Sequence, residues 1–256
     1  MDIEREFSNV LIAPKRNSIK GDLVFCPMTS SPFQIIVCSM INLNETLENL
    51  RGSYQSAKFD IEDCQQNPEL QFDFWLENAI KSHCDEPNAF VLSTVSSNHR
   101  PHARVVLLKG IHDGQFVFYT NYQSRKGTEI QDNDHVSMTF LWLPLARQVR
   151  IEGKVVKVSG ESSDEYFHKR PRGSQIGAIA SPQSQKVSAR EDLEKLFAEV
   201  EQKFEKQEIL PRPAHWGGYG VIPDYYEFWQ GRNNRMHDRI SYEKSETGWL
   251  LSRLAP

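Results

Sequence analysis

The chain has 256 residues, 39% hydrophobic and 11% aromatic, enough to bury a sizeable core in one large or two small domains. A formal net charge of -4 excludes a general nucleic-acid or membrane-surface binder, whose footprint is a strongly basic domain, so any anion site must be local. The four cysteines, Cys26, Cys38, Cys64 and Cys84, match no zinc or redox spacing, which argues against a metal site or a disulfide framework and for a reducing, cytoplasmic setting.

Residues 1–55 are punctuated by Ser, Asn and Pro without a period of two or 3.6, and read as a poorly ordered extension. Their longest apolar run, Phe33 to Ile41, is interrupted by Gln34 and Ser39 and is far shorter than the ~20 residues of a membrane helix. No charged-then-apolar signal peptide follows Met1. Met40 stands just before better-patterned sequence and is a candidate natural start.

Residues 56–256 read as one domain. Asn67 as N-cap and Pro68 at the first helical position open an amphipathic helix that places Phe72, Trp75, Leu76, Ala79 and Ile80 on one face. Beyond Pro87 the stretches AFVLSTVS, HARVVLLK, QFVFYTN, HVSMTFLWL and RQVRIEGKVVKVS read as five antiparallel strands, with Ser124 capping a short helix to about Gln131. Two helical pieces follow around SSDEYFHKR and SQIGAIA, and a longer helix begins at Ser188 with the capping-box spacing S-A-R-E. The chain closes with four more strands, GGYGVI, YYEFWQG, RISYEK and GWLLSRL. Strand runs without β-α-β alternation or a glycine fingerprint predict a mainly β fold, a closed antiparallel barrel with flanking helices.

Several stretches concentrate cations. RVVLLK brackets an apolar strand with Arg104 and Lys109, and reads equally as a strand with charged ends. FYTNYQSRKG runs from Tyr119 and Thr120 to Arg125 and Lys126 at a helix start, where backbone N–H groups and side chains can converge on a phosphate. In YFHKRPRGSQIGA, Tyr166, Arg170 and Ser174 fall four apart and would share a face of one continuous helix, although Pro171 argues against that continuity. Gln148 has an amide able to read donors and acceptors of a pyrimidine-dione ring, or is a solvated strand residue; Gln183 and Ser184 are ordinary loop residues until a ligand is invoked. In EFWQGRNNRMHDR, Arg235, His237 and Arg239 alternate and would project to one side of an extended strand, an arrangement that calls for an anion among them. Arg232 reads as a solvated loop residue, and no Ser-His-Asp or metal-ligand pattern occurs.

Together RVVLLK, FYTN..SRKG, RQVRIEG, YFHKRPRGSQIGA, WGGY, EFWQG...R.HDR and the terminal RLAP resemble the pyridoxine/pyridoxamine 5′-phosphate oxidase family, over about Leu50 to Pro256. The resemblance implies an FMN-binding split β-barrel with flanking helices, a homodimer with FMN at the subunit interface. It further implies that Arg104, Val105, Val106, Leu107, Leu108, Lys109, Tyr119, Thr120, Arg125, Lys126, Gln148, Gln183, Ser184, Trp229 and Arg239 contact FMN. Lys109, Tyr166, Arg170 and Ser174 would bind the phosphate of pyridoxine or pyridoxamine 5′-phosphate. Arg235 and His237 would bracket the pyridine ring as catalytic residues, with Met236 between them in the substrate segment. RGSY, carrying Arg51 and Tyr54, loosely matches a further substrate motif. The implied reaction passes a hydride equivalent from substrate C4′ to flavin N5, with O2 as final acceptor and H2O2 as by-product. The alternatives are another split-barrel flavoprotein, which would lack Arg235 and His237, and a non-catalytic pyridoxal phosphate carrier, which would not need the flavin contacts.

Overall fold

The computed structural model describes residues 47–48 and 58–256. The chain divides into two compact units, Met1–Gly52 and Ser53–Pro256. Of the first, only the helical pair Leu47 and Glu48 is described. Met40, Arg51, Tyr54, Cys26 and Cys38, and most of the 1–55 extension, lie outside the described residues.

Helix α1 (Pro68–Lys81) starts as the sequence predicts, with Asn67 accepting the Glu69 N–H at 2.9 Å and Pro68 in the first turn. It buries Phe72, Trp75 and Ala79, but Ile80, expected on the same face, is 55% exposed. Gln71 takes a buried place instead, its Oε1 accepting the Gln65 N–H at 2.9 Å. A polar group survives there because it is paired.

Among the described residues nine strands form one antiparallel sheet: β1 (Ala89–Val95), β2 (Pro101–Leu107), β3 (Gly110–His112), β4 (Gln115–Asn121), β5 (His135–Trp142), β6 (Arg147–Lys157), β7 (Trp216–Gln230), β8 (Asp238–Ser245) and β9 (Gly248–Arg253). Their order is β2-β1-β5-β6-β7-β4-β3, with β8 on β7 and β9 on β8. GGYGVI and YYEFWQG, expected as two strands, are one 15-residue strand that pairs β6 from Tyr219 to Gln230, with one register shift. Its first part pairs β4 and its last part pairs β8, so the sheet divides along β7. The change of partner coincides with a bulge at Glu152/Gly153 opposite Pro223, which has no N–H to give the ladder. Gly153 is required there, since a Cβ would stand 2.2 Å from the carbonyl oxygen of Ile222.

Alternation places Leu92, Met138, Phe140, Val149, Ile151 and Phe228 on the enclosed face, every one fully buried with Phe72 and Trp75 of α1 packed among them. This is the expected mainly β, split-barrel arrangement with flanking helices α2 (Arg125–Asp132), α3 (Gly160–Lys169), α4 (Arg172–Ala180) and α5 (Arg190–Lys203). Helix α5 departs from its predicted cap: Ala189, not Ser188, holds the N-cap position, and Asp192 accepts its N–H at 3.0 Å. A second apolar cluster, Phe167, Ile176, Phe204, Leu210 and Trp216, seats α3, α4 and α5 against the start of β7. Among the described residues no helix is long and apolar enough to cross a membrane.

Candidate active site

A cavity of about 500 Å³ is lined by His102 and Arg104 of β2, Arg125 and Lys126 of α2, and Gln183 and Ser184 beyond α4. Ser124 caps α2 as predicted, accepting the Gly127 N–H, so the first-turn donors of α2 open toward this cationic cavity. The glycine of the SRKG motif has a steric cause: a Cβ on Gly127 would lie 2.2 Å from the Tyr122 carbonyl oxygen. Lys126 Nζ donates to Thr120 Oγ1 at 3.1 Å and to Gln183 Oε1 at 3.2 Å. Burial and the neighbouring Arg104 pull the Lys126 pKa below its ordinary 10.5.

Glu129, which sequence reasoning missed, sits behind these cations. It is 5% exposed and accepts from Thr94 Oγ1 (2.5 Å), Arg104 Nη2 (3.2 Å) and Arg125 Nε (3.1 Å). His102 Nδ1 approaches its Oε1 to 2.7 Å, and Arg125 Nη2 meets His102 Nε2. Burial opposes the Glu129 charge, but the Thr94 and Arg125 hydrogen bonds and the His102 and Arg104 contacts hold its pKa below the ordinary 4.5. Three cations facing one carboxylate, with hydroxyl and amide donors beside them, suit a phosphate ester such as that of FMN.

A second cluster, candidate for another anion, lies beyond β4. Tyr119 stacks on Tyr166 at 3.9 Å and 16°, and on Trp216 at 5.5 Å and 13°. The Arg170 guanidinium lies 4.7 Å over the Trp216 ring, with Nη1 buried and without a partner among the described residues. The WGGY motif acquires a reason here, because a Cβ on Gly218 would meet the Tyr119 ring at 2.8 Å and one on Gly217 the Tyr122 hydroxyl at 2.2 Å. Tyr166, Arg170 and Ser174 do not share one helix. The chain breaks at Arg170, which is extended (φ -76°, ψ 148°) as a residue before proline prefers, so Tyr166 belongs to α3 and exposed Ser174 to α4.

A third group lies on the other side of the sheet. Gln148, Trp229 and Arg239 are register partners across β6, β7 and β8, forming one row on the face opposite the core-side row of Arg104, Leu92 and Met138. Arg239 Nε donates to buried Glu227 at 2.8 Å and Nη1 to the Ala255 carbonyl at 2.7 Å, and the Glu227 bond raises its pKa above the ordinary arginine value. The His237 ring lies 4.7 Å from that of Trp229, and its Nδ1 accepts the Arg232 N–H at 3.0 Å.

The expected alternation of Arg235, His237 and Arg239 on a strand is not what forms. Asn234 and Arg235 take positive φ (58° and 60°) in a 3-10 turn, and of the three only Arg239 lies in β8. Arg235 and Met236 are exposed, and Arg232, expected free in solvent, pairs with Asp238 at 3.5 Å. The RVVLLK strand also ends early, at Leu107: Val105 is 67% exposed, Val106 and Leu107 half-buried, Leu108 buried, and Lys109 exposed between β2 and β3.

Family comparisons agree with the motifs. A model described as pyridoxamine 5′-phosphate oxidase matches residues 76–204, and one described as the pyridoxine 5′-phosphate oxidase C-terminal dimerisation region matches residues 216–256. Relatives called pyridoxine/pyridoxamine 5′-phosphate oxidase include one from Salinibacter ruber, 49% identical over 82% of this chain and 99% of its own. Another, from Leptospira interrogans, is 49% identical over 84% of this chain and all of its own. Among solved structures, PhzG from Burkholderia lata in complex with tetrahydrophenazine-1-carboxylic acid superposes with TM-score 0.74 at 29% identity, over 80% of this chain and all of that one. An FMN-binding protein from Nostoc punctiforme, related to pyridoxamine 5′-phosphate oxidase, shares the fold at TM-score 0.60 and 15% identity, over 74% of this chain and 97% of that one. With family models matching residues 76–204 and 216–256, and 49% identity over more than four fifths of the chain to relatives aligned along their whole length, the chain belongs to the pyridoxine/pyridoxamine 5′-phosphate oxidase family.

Proposed function

We propose that this chain is an FMN-dependent oxidase that converts pyridoxine and pyridoxamine 5′-phosphate to pyridoxal 5′-phosphate, with O2 as final acceptor, and that it works as a cytoplasmic homodimer. One observation carries the reading. Adjacent residues of β4 feed two separate anion sites, Thr120 toward Lys126 and Gln183, and Tyr119 toward Tyr166 and, beyond Trp216, Arg170. A cofactor and a substrate that are both phosphate esters need such a pair. Identity near half to oxidases of this name, against 29% to PhzG, favours B6 phosphates over a phenazine substrate.

Arg104, Arg125 and Lys126 would hold the FMN phosphate, with Gln183, Ser184 and the Val105–Lys109 segment alongside. FMN supplies the two-electron acceptor that the side chains themselves lack. Arg170, Tyr166, Ser174 and Lys109 would grip the substrate phosphate, and that remote binding energy fixes C4′ at the reacting position. Arg235 and His237, with Met236, would enclose the pyridine ring.

These parts cannot serve one ligand within one chain. Trp216, under Arg170, and Trp229, beside His237, stand at opposite ends of β7, a span of about 40 Å at strand rise, several times the length of the substrate. A second copy can supply the missing half of each site. Val91 and Val105, paired on the outer sheet face, and Leu141 in the Gln148 row expose 37%, 67% and 54% of their surface in the single chain, apolar area suited to that contact.

The test is direct. The purified protein should take up FMN to a yellow form, and pyridoxine 5′-phosphate should bleach it in the absence of oxygen. A protein that stays colourless with excess FMN would refute the proposal.

A further inference from the structure

Glu129 carries none of the roles assigned above, yet side chains from β1, β2 and α2 converge on its carboxylate. Arg104 and Arg125, which line the cavity, each give it one N–H. Arg104 Nη1 also donates to Thr94 Oγ1 at 2.5 Å and to the Leu92 carbonyl at 3.3 Å, and Arg125 Nη2 meets His102 Nε2. A guanidinium has five N–H donors, so part of each fork stays available to another acceptor.

We propose that Glu129 is a positioning residue that sets the phosphate selectivity of the Arg104–Arg125–Lys126 cavity; the inference rests on the reading of that cavity as the FMN phosphate site. Its first effect is orientation. The Arg125 side chain is 61% exposed, and without the Glu129 bond it would have to lose its rotamer freedom when the anion binds. Glu129, 6% exposed in its side chain, has that ordering built into the fold. Its second effect is charge balance: three formal cations against one carboxylate leave two net positive charges, which match a phosphate monoester dianion. Removing the carboxylate adds net attraction for the anion. That gain is screened in a cavity open to water, so loss of orientation dominates.

Apoprotein titrated with FMN and with riboflavin, which differ only in the phosphate, tests this by fluorescence quenching. Wild type should prefer FMN. Glu129→Gln should lower that preference at least about tenfold, the equivalent of one charge-assisted hydrogen bond, while riboflavin affinity stays unchanged. Glu129→Asp keeps the charge but retracts it by one methylene, so it should fall between the two and serve if Glu129→Gln does not fold. Three results overturn the inference: an unchanged preference in the folded variants, a raised preference, or FMN and riboflavin affinities falling together as a purely structural role requires. A wild-type protein with no preference for FMN would instead sink the flavin reading itself, and this inference with it.

Discussion

Replacing Arg170 with Met separates a ligand-binding role from a structural one. In the free chain the guanidinium is buried enough that its pKa lies below the ordinary arginine value, and its Nη1 is unpartnered among the described residues. Loss of the contact over Trp216 should cost about 0.5–2 kcal/mol. Relief of an unpaired buried donor returns about 1–3 kcal/mol. The two offset, so the unliganded protein should melt within about 4 °C of wild type. Substrate binding has no such offset: one charge-assisted bond, about 1.5–3 kcal/mol, should raise KM for pyridoxine 5′-phosphate by roughly one to two powers of ten. Aldehyde formation followed with substrate concentration, beside a thermal melt of the apoprotein and an FMN titration, reads all three quantities. A melting point lowered by about 8 °C or more with KM unchanged would show that Arg170 is a structural prop and that the clamp is misassigned.

Other outcomes follow from the same geometry. Arg125→Ala should mainly loosen FMN, whereas Arg235→Ala or His237→Ala should depress turnover or substrate affinity with flavin retained; flavin expelled from Arg235→Ala with unaltered substrate handling contradicts the assignment. Gly127→Ala should destabilise the fold by about 1–3 kcal/mol, because the new methyl meets the Tyr122 backbone, and should weaken FMN binding by displacing Arg125 and Lys126. A variant with wild-type melting and affinity would show that the helix start is not held there. The depressed Glu129 pKa makes its carboxylate stabilising above the unfolded value near 4.5, and that contribution disappears as pH falls through the lower folded value. The melting-point gap between wild type and Glu129→Gln should therefore be full at pH 6 and narrow below about pH 4.5; a gap independent of pH rules the linkage out.

What could be read from the chain depended on whether the deciding interactions were local. The α1 cap and the strand alternation are set by neighbours a few residues away, and they fold as read, apart from Ile80 near the helix end. The single long β7 was obscured by Pro223, which lacks an N–H for the ladder and stands where the register with β6 shifts, Asp224 being the extra residue of β7. Alternation of Arg235, His237 and Arg239 misled because two successive positive-φ residues turn the chain where a strand was assumed. Glu129 shows in the sequence only as the far end of an ordinary i, i+4 pair with Arg125; its other partners, Thr94 and Arg104, are 35 and 25 residues away, so nothing local marks it as buried. Trp216 lay in a quoted motif without a role, and only its ring under Arg170 supplies one.

The length of β7 has a genetic consequence. With the proposed phosphate clamp at one end and the Trp229–His237 corner at the other, each chain of the proposed dimer would contribute a different part to two sites. A chain damaged at Arg170 and another damaged at Arg235 are then complementary cripples. Mixed dimers would carry one site with both lesions and one with neither, so two inactive alleles expressed together should recover up to about half of the activity per mixed dimer, a rescue that a protein with self-contained sites cannot show.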